Sequence, residues 1–342
     1  MTQRHEVKLA LFVLLALSGL LPAGEKEKRF AAVDPEGAGP DYKVQGEYLG
    51  EVTLADGTKQ KLGAQVIACG KGTFHSAFYP GGLPGEGWDG KTKIERTPAK
   101  QGNIPVDAKT DGDKTVFEQV YKAVITGETM NGETDKGEKF ELKKVLRQSP
   151  TLGAKPPEGA IVLFDGTNSD EFDKKDWLDS RKFLKMGVTT KRKFTDFTLH
   201  VELMLSFMPE SRGQGRSNSG VIMQQHYEIQ VLDSFGLAGD ANECGGVYSV
   251  KPLPVNMCYP PLSWQTYDIE FEAARFDADG KTKIKNPVVT LKYNGVLVHD
   301  KFEIPRPTDG SKTVPPPPWG IYLQDHGGDP LFFKNIWIVE KK

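Results

Sequence analysis

Three cysteines and six histidines in 342 residues leave little material for a metal cage or a thiol-based active site. No CxxC or HxxxH spacing occurs among them, so nothing in the pattern supports zinc. Neither charge sign predominates. With 44 Lys and Arg against 46 Asp and Glu the formal net charge is -2, and no broad basic field exists to draw in nucleic acid. Helical periodicity is scarce, and no GxGxxG follows a strand-like run, which leaves no dinucleotide fold to carry redox chemistry. Gly (37) and Pro (23) are plentiful instead, a composition suited to short strands joined by turns. Hydrophobic residues at 38% and charged residues at 26% describe an ordinary globular protein long enough for two cores.

The first specific signal is at the N-terminus. Arg4 and Lys8 precede the apolar run Leu9 to Leu17, which continues to Leu21, and Ala23 and Gly24 supply a small-residue exit. This pattern predicts a secretory signal peptide over residues 1–24 and a periplasmic or extracellular mature protein. An uncleaved anchor is the alternative, but the run falls short of the roughly 20 residues of a spanning helix. No membrane association is expected after cleavage. In such a compartment Cys244 and Cys258 could close a disulfide ring of about 15 residues. Cys69, inside the apolar stretch Ala64 to Cys69, reads as a buried small hydrophobe.

Residues 25–40 form a charged, then Gly- and Pro-rich leader. Residues 41–148 alternate in short runs such as Gly46 to Leu54, Ala64 to Ala68 and Thr73 to Tyr79, and predict a small β-rich accessory domain of structural or binding character. Residues 149–159 carry Pro150, Pro156 and Pro157 without periodicity and read as a linker. Residues 160–342 then hold a longer series of strands. In Phe197 to Leu205 strict alternation puts Phe197, Leu199, Val201, Leu203 and Leu205 on one face, which belongs in a core. The fold class expected is all-β, with a two-sheet sandwich as the C-terminal half.

Two strands break the simple inside/outside rule. In Tyr227 to Val231, alternation buries Tyr227, Ile229 and Val231 and projects Glu228 and Gln230 from the other face. In Ile321 to Gly327, the face opposite Ile321 and Leu323 bears Tyr322, Gln324 and His326. Such rows line either a polar cleft or a plain solvated sheet face. His226 and His200 read as surface or supporting residues, and His299 as part of a hairpin after the Asn294-Gly295 turn signal. Trp264, Tyr248 and Tyr259 are aromatic candidates for stacking on a ligand, and Arg212 and Arg216 read as solvated loop arginines, with contact to a substrate as the alternative.

The order of motifs across the second half resembles the 3-keto-disaccharide hydrolase domain family. The matching pieces include Ile161 to Thr167, Asn218 to Val221, Tyr227 to Ser234, Trp264 to Ile269, Asn294 to His299, Gln324 to Gly327 and Phe332 to Ile338. The resemblance implies a concanavalin-like jelly roll that takes an oligosaccharide or glycoside already oxidised to a ketone at C3. Such a ketone acidifies the C2 proton, and the glycosidic oxygen on C1 lies β to that carbon. Elimination across C1–C2 followed by hydration then gives net hydrolysis. The route asks for a general base, with Glu228 or His326 the candidates, and for groups that orient hydroxyls or the ketone. Gln230, Gln324, Asn218, Tyr322 and Tyr248 are the substrate-binding candidates. A divalent cation held by Glu228, Asp325 or His326 is a further option for enolate charge. The competing double-carboxylate mechanism would pair Glu228 with Asp233, although glucanases of this type of fold use a Glu-x-Asp-x-x-Glu run, and here Gln230 and the shorter Asp233 replace the last two acids. A non-catalytic carbohydrate-binding or cell-surface module on the same sheet is the alternative to an enzyme.

Overall fold

The computed structural model describes residues 29–327 and 329–341. The expected signal peptide lies outside the described residues. Among those described, no helix is long and apolar enough to cross a membrane.

A single helical turn, α1 (Pro40–Val44), precedes eight strands. These are β1 (Gly46–Thr53), β2 (Lys59–Gly70), β3 (Thr73–Pro80), β4 (Ala108–Asp111), β5 (Lys114–Phe117), β6 (Lys122–Thr126), β7 (Thr129–Glu133) and β8 (Lys139–Val145). Each pairs antiparallel with the next, and β1 pairs back onto β8, so the sheet closes into a barrel. Alternate residues of β2, namely Leu62, Ala64, Val66 and Ala68, fill its interior with Phe74, Phe78, Phe117 and Phe140. At the closure point only glycine fits. A Cβ on Gly50 would lie 2.0 Å from the Glu141 carbonyl oxygen of β8.

The second half is a β-sandwich of two antiparallel sheets around one core. Its first strands are β9 (Ile161–Phe164), β10 (Leu184–Lys185), β11 (Val188–Thr189), β12 (Phe197–Leu205), β13 (Ser219–Met223) and β14 (Tyr227–Val231). They are followed by β15 (Trp264–Glu272), β16 (Arg275–Phe276), β17 (Lys283–Lys285), β18 (Val288–Tyr293), β19 (Val296–Glu303), β20 (Tyr322–Leu323) and β21 (Leu331–Glu340). The larger sheet runs β10-β21-β12-β15-β18-β19, with β9 also on β21, and the smaller runs β11-β20-β13-β14. Phe197, Leu199, Val201, Leu203 and Leu205 enter the core between them, as their alternation predicts. Asn294 and Gly295, both at positive φ, make the tight β18–β19 turn.

The barrel and sandwich cores interlock. Ile67, Cys69, Ala99 and Ile104 of the barrel pack into the sandwich core, and Phe207 of the sandwich packs into the barrel core. The expected linker is partly a strap. Ser149 Oγ and Thr151 Oγ1 both bond Thr266 Oγ1, and Thr151 also donates to Asp268 at 2.7 Å. Gly153 N donates to Glu202 Oε1 at 2.6 Å, and Asn335 and Trp337 hold the Ala154 carbonyl. Beneath the strap His200 is fully buried, bonded to Asp268 at 2.6 Å and stacked on Trp337. Of the two readings its strand position allowed, surface or supporting, the surface one fails, because a polar strap covers that face of β12.

All three cysteines are free buried thiols. Cys244 and Cys258 are hydrogen-bonded neighbours, and the ring they could close is open.

Candidate functional site

The smaller sheet carries the candidate site residues on the face turned away from the core. Strand register brings the residues together. Ile222 of β13 pairs with Glu228 of β14 on one side and Tyr322 of β20 on the other. One row along, Gly220 pairs with Gln230, and its carbonyl accepts from Gln324 N at 2.9 Å. The inward residues of the same strands, Val221, Ile229 and Leu323, belong to the core. Glu228, Gln230, Tyr322 and Gln324 thus share one face, as alternation predicts.

Gly220 makes the hollow. It contributes no side chain, and Glu228 leans over it so closely that a Cβ there would lie 2.5 Å from Oε1. Glu228 is 6% exposed, and its carboxyl has no hydrogen-bond partner among the described residues. Burial alone pushes its pKa up to about 7. A carboxyl that exchanges its proton near neutrality is suited to general acid–base work. The β14 edge is closed by Thr308, whose hydroxyl accepts from Glu228 N at 2.8 Å, and by Tyr248 N on the Glu228 carbonyl. Tyr248 is half-buried beside this edge.

The amides divide into two kinds. Gln324 is half-exposed, and its side chain has no partner among the described residues. Gln230 is buried and engaged: its Oε1 accepts from Val231 N, and its Nε2 donates to Gln214 Oε1 at 3.0 Å. Asn218 donates to the same Gln214 oxygen at 3.1 Å, and its own Oδ1 is buried without a partner among the described residues. Gln230 therefore builds the wall of the hollow and has no free donor for a ligand.

His326 stands two residues past Gln324 and is exposed. It lies near enough to act electrostatically on Asp329, a carboxyl the sequence reading missed. Asp329 is 3% exposed and raised in pKa by burial, against the pull of Arg29 at 2.5 Å, the Asn218 amide and His326. Asp325 lies instead against Gly187, near the Lys174 ammonium. The proposed metal ligands Glu228, Asp325 and His326 are thus not gathered, and no group of three or more His, Cys, Asp or Glu among the described residues is placed to hold an ion.

Asp233 is turned away from the hollow. Its carboxylate takes the Arg216 Nε–H at 2.6 Å, and both side chains are buried. Alternation explains this, since Asp233 is an odd number of residues from Glu228 on a continuing extended chain. Arg216 is correspondingly no solvated loop arginine, and Arg212 donates to the Cys69 carbonyl of the barrel. A second missed acid is Glu243, fully buried, which accepts from the Gly239 and Asp240 amides and is raised to about 7 by burial. It lay in a Gly-rich stretch without periodicity, where no pattern marks a buried side chain. His226 pairs with Asp309 at 2.7 Å, and His299 is buried against the Gly245 carbonyl.

Residues 159–339, just over half the chain, match the 3-keto-alpha-glucoside-1,2-lyase-like domain. Among solved structures, one candidate glycosyl hydrolase from Parabacteroides distasonis is 31% identical, with 54% of this chain and 85% of that chain covered and a TM-score of 0.49. A second from the same organism is 18% identical over 53% and 99% of the two chains, with a TM-score of 0.36. A third is 17% identical over 58% and 99%, with a TM-score of 0.39. No curated protein matches the chain. With the all-β sandwich in place, the extent of the match supports a carbohydrate-active role, and the chain belongs to the 3-keto-alpha-glucoside-1,2-lyase-like domain family.

Proposed function

We propose that the protein cleaves glycosides that carry a ketone at C3, by elimination across C1–C2. The observation that carries this reading is Glu228: a carboxyl desolvated to a pKa of about 7, set over a bare glycine and flanked by Gln324. Glu228 takes the acidified C2 proton, the C2–H electrons form the C1=C2 bond, and the C1–O bond breaks to release the aglycone. Water then adds across the new double bond, so that the net change is hydrolysis. Gln324, with its amide free, donates to the ketone oxygen as enolate charge develops. His326, in the field of Asp329, supplies the proton for the leaving oxygen. Ordinary double-carboxylate hydrolysis is disfavoured, because Asp233 is held by Arg216 and Gln230 replaces the middle acid. The protein acts on its substrate after export.

The test is direct. Purified protein is given a 3-keto-disaccharide, and enone absorbance and released sugar are followed. Wild type should turn it over, and Glu228→Gln should lose on the order of 10²- to 10⁴-fold in kcat. Retention of the sugar without turnover by wild type would mean a binding module and overturn the proposal.

A further inference from the structure

The family match begins at residue 159, yet the wall of the hollow is completed by a residue far outside it. Lys100 and Asn103 of the barrel pair backbone to backbone in a tight hairpin with Gln101 at its tip. The Gln101 carbonyl accepts from Gly213 N at 2.6 Å. Its side-chain Oε1 accepts from Gln214 Nε2 at 3.0 Å and from Asn242 Nδ2 at 3.1 Å, while its Nε2 donates to the Asn242 carbonyl. Gln214 is the residue that receives both Gln230 and Asn218.

This arrangement fixes which way Gln214 faces. Its Nε2 is directed to Gln101 Oε1 and the Asn242 carbonyl, so its Oε1 must point at Gln230 and Asn218. With Gln101 gone, Gln214 loses one of the two acceptors that fix that orientation and keeps only the Asn242 carbonyl. A reversed amide would set two donors against the donors of Gln230 and Asn218, in a region where buried polar groups are costly to leave unpaired. The loop from Arg212 to Arg216 is braced on its other side by Arg29, also outside the family domain, which bonds the Gly215 carbonyl and Asp329.

We propose that Gln101 of the barrel is a positioning residue for the sandwich hollow, so that the barrel is part of the substrate site and not a separable accessory. The inference rests on the function proposed above for its kinetic readout, but not for its structural one.

Three proteins test it: wild type, Gln101→Ala, and Lys93→Ala as a docking control. Lys93 ties the barrel to the Gly236 carbonyl elsewhere in the interface. In Gln101→Ala, hydrogen exchange should quicken in peptides spanning residues 212–218 and 239–247. KM for a 3-keto-disaccharide should rise roughly tenfold, the worth of one to two buried hydrogen bonds, with kcat within about twofold. Gln101→Glu, which keeps the acceptor for Gln214, should recover part of the KM. Lys93→Ala should lower the melting temperature and leave both the two peptides and KM unchanged. Wild-type exchange at residues 212–218 in Gln101→Ala would overturn the proposal, as would an equal rise of KM in Lys93→Ala. Should wild type show no turnover, the proposed function fails while the exchange comparison still decides the role of Gln101.

Discussion

The ionisation of Glu228 should activate the protein and weaken its fold at once. Its carboxyl rises from an ordinary 4.5 to about 7 because burial penalises the charged form. Between those two values the folded state binds more protons than the unfolded, so stability falls as pH rises through the window. A displacement of this size corresponds to about 3 kcal/mol, fully expressed above pH 7. Glu228→Gln is close to isosteric and cannot ionise. In urea denaturation at pH 4, 5, 6, 7 and 8, the variant should match wild type at the acid end and gain about 3 kcal/mol on it by the alkaline end. Over the same interval wild-type kcat/KM should climb, with its steepest rise below pH 7 and a half-maximal value near pH 7, as required of a base that works only when deprotonated. A stability gap between the two proteins that stays constant with pH would refute the desolvation argument. A rate that shows no rise between pH 5 and 7 would refute the assignment of Glu228 as base.

Other expectations follow from the same structure. Gly220→Ala would force a methyl to within 2.5 Å of Glu228 Oε1, and should cost about 1–3 kcal/mol and most of the turnover, read by calorimetry and the enone assay. Asp233→Ala strands a buried guanidinium and should destabilise by about 3–5 kcal/mol in urea, whereas a catalytic acid would show its loss in kcat with the fold intact. Burial is outweighed by the hydrogen bonds His200 gives to Asp268 and Glu202 and by their charge, which hold it above its usual 6.5, so its contribution is complete below that value and is lost as pH rises through the folded pKa. His200→Gln should remove that portion of the alkaline decline in melting temperature. Export predicts that the secreted protein begins near Glu25, which intact mass would show.

What was legible in the sequence is what alternation can express. Phe197 to Leu205 announced its buried face, and the same rule turned Glu228 and Gln324 each away from the core of its own strand. Register then supplied what alternation cannot: that Gly220 sits between Gln230 and the Gln324 strand. The misreadings share a cause. His200, Arg216 and Gln230 were each judged from their own strand or loop, yet each is buried by a distant segment, respectively the strap, the Asp233 turn and Gln214. Gln101 carried no signal at all, because a glutamine in a surface hairpin looks the same whether or not another domain receives it.

The strap has a consequence for how the chain would respond to a cut. Residues 155–159 are exposed, while 149–154 are bonded onto the back of the larger sheet. A protease that severed the exposed stretch would leave the upstream piece gripped by Thr266, Asp268 and Glu202. Two fragments would appear on a denaturing gel, and a single particle would still elute from a sizing column.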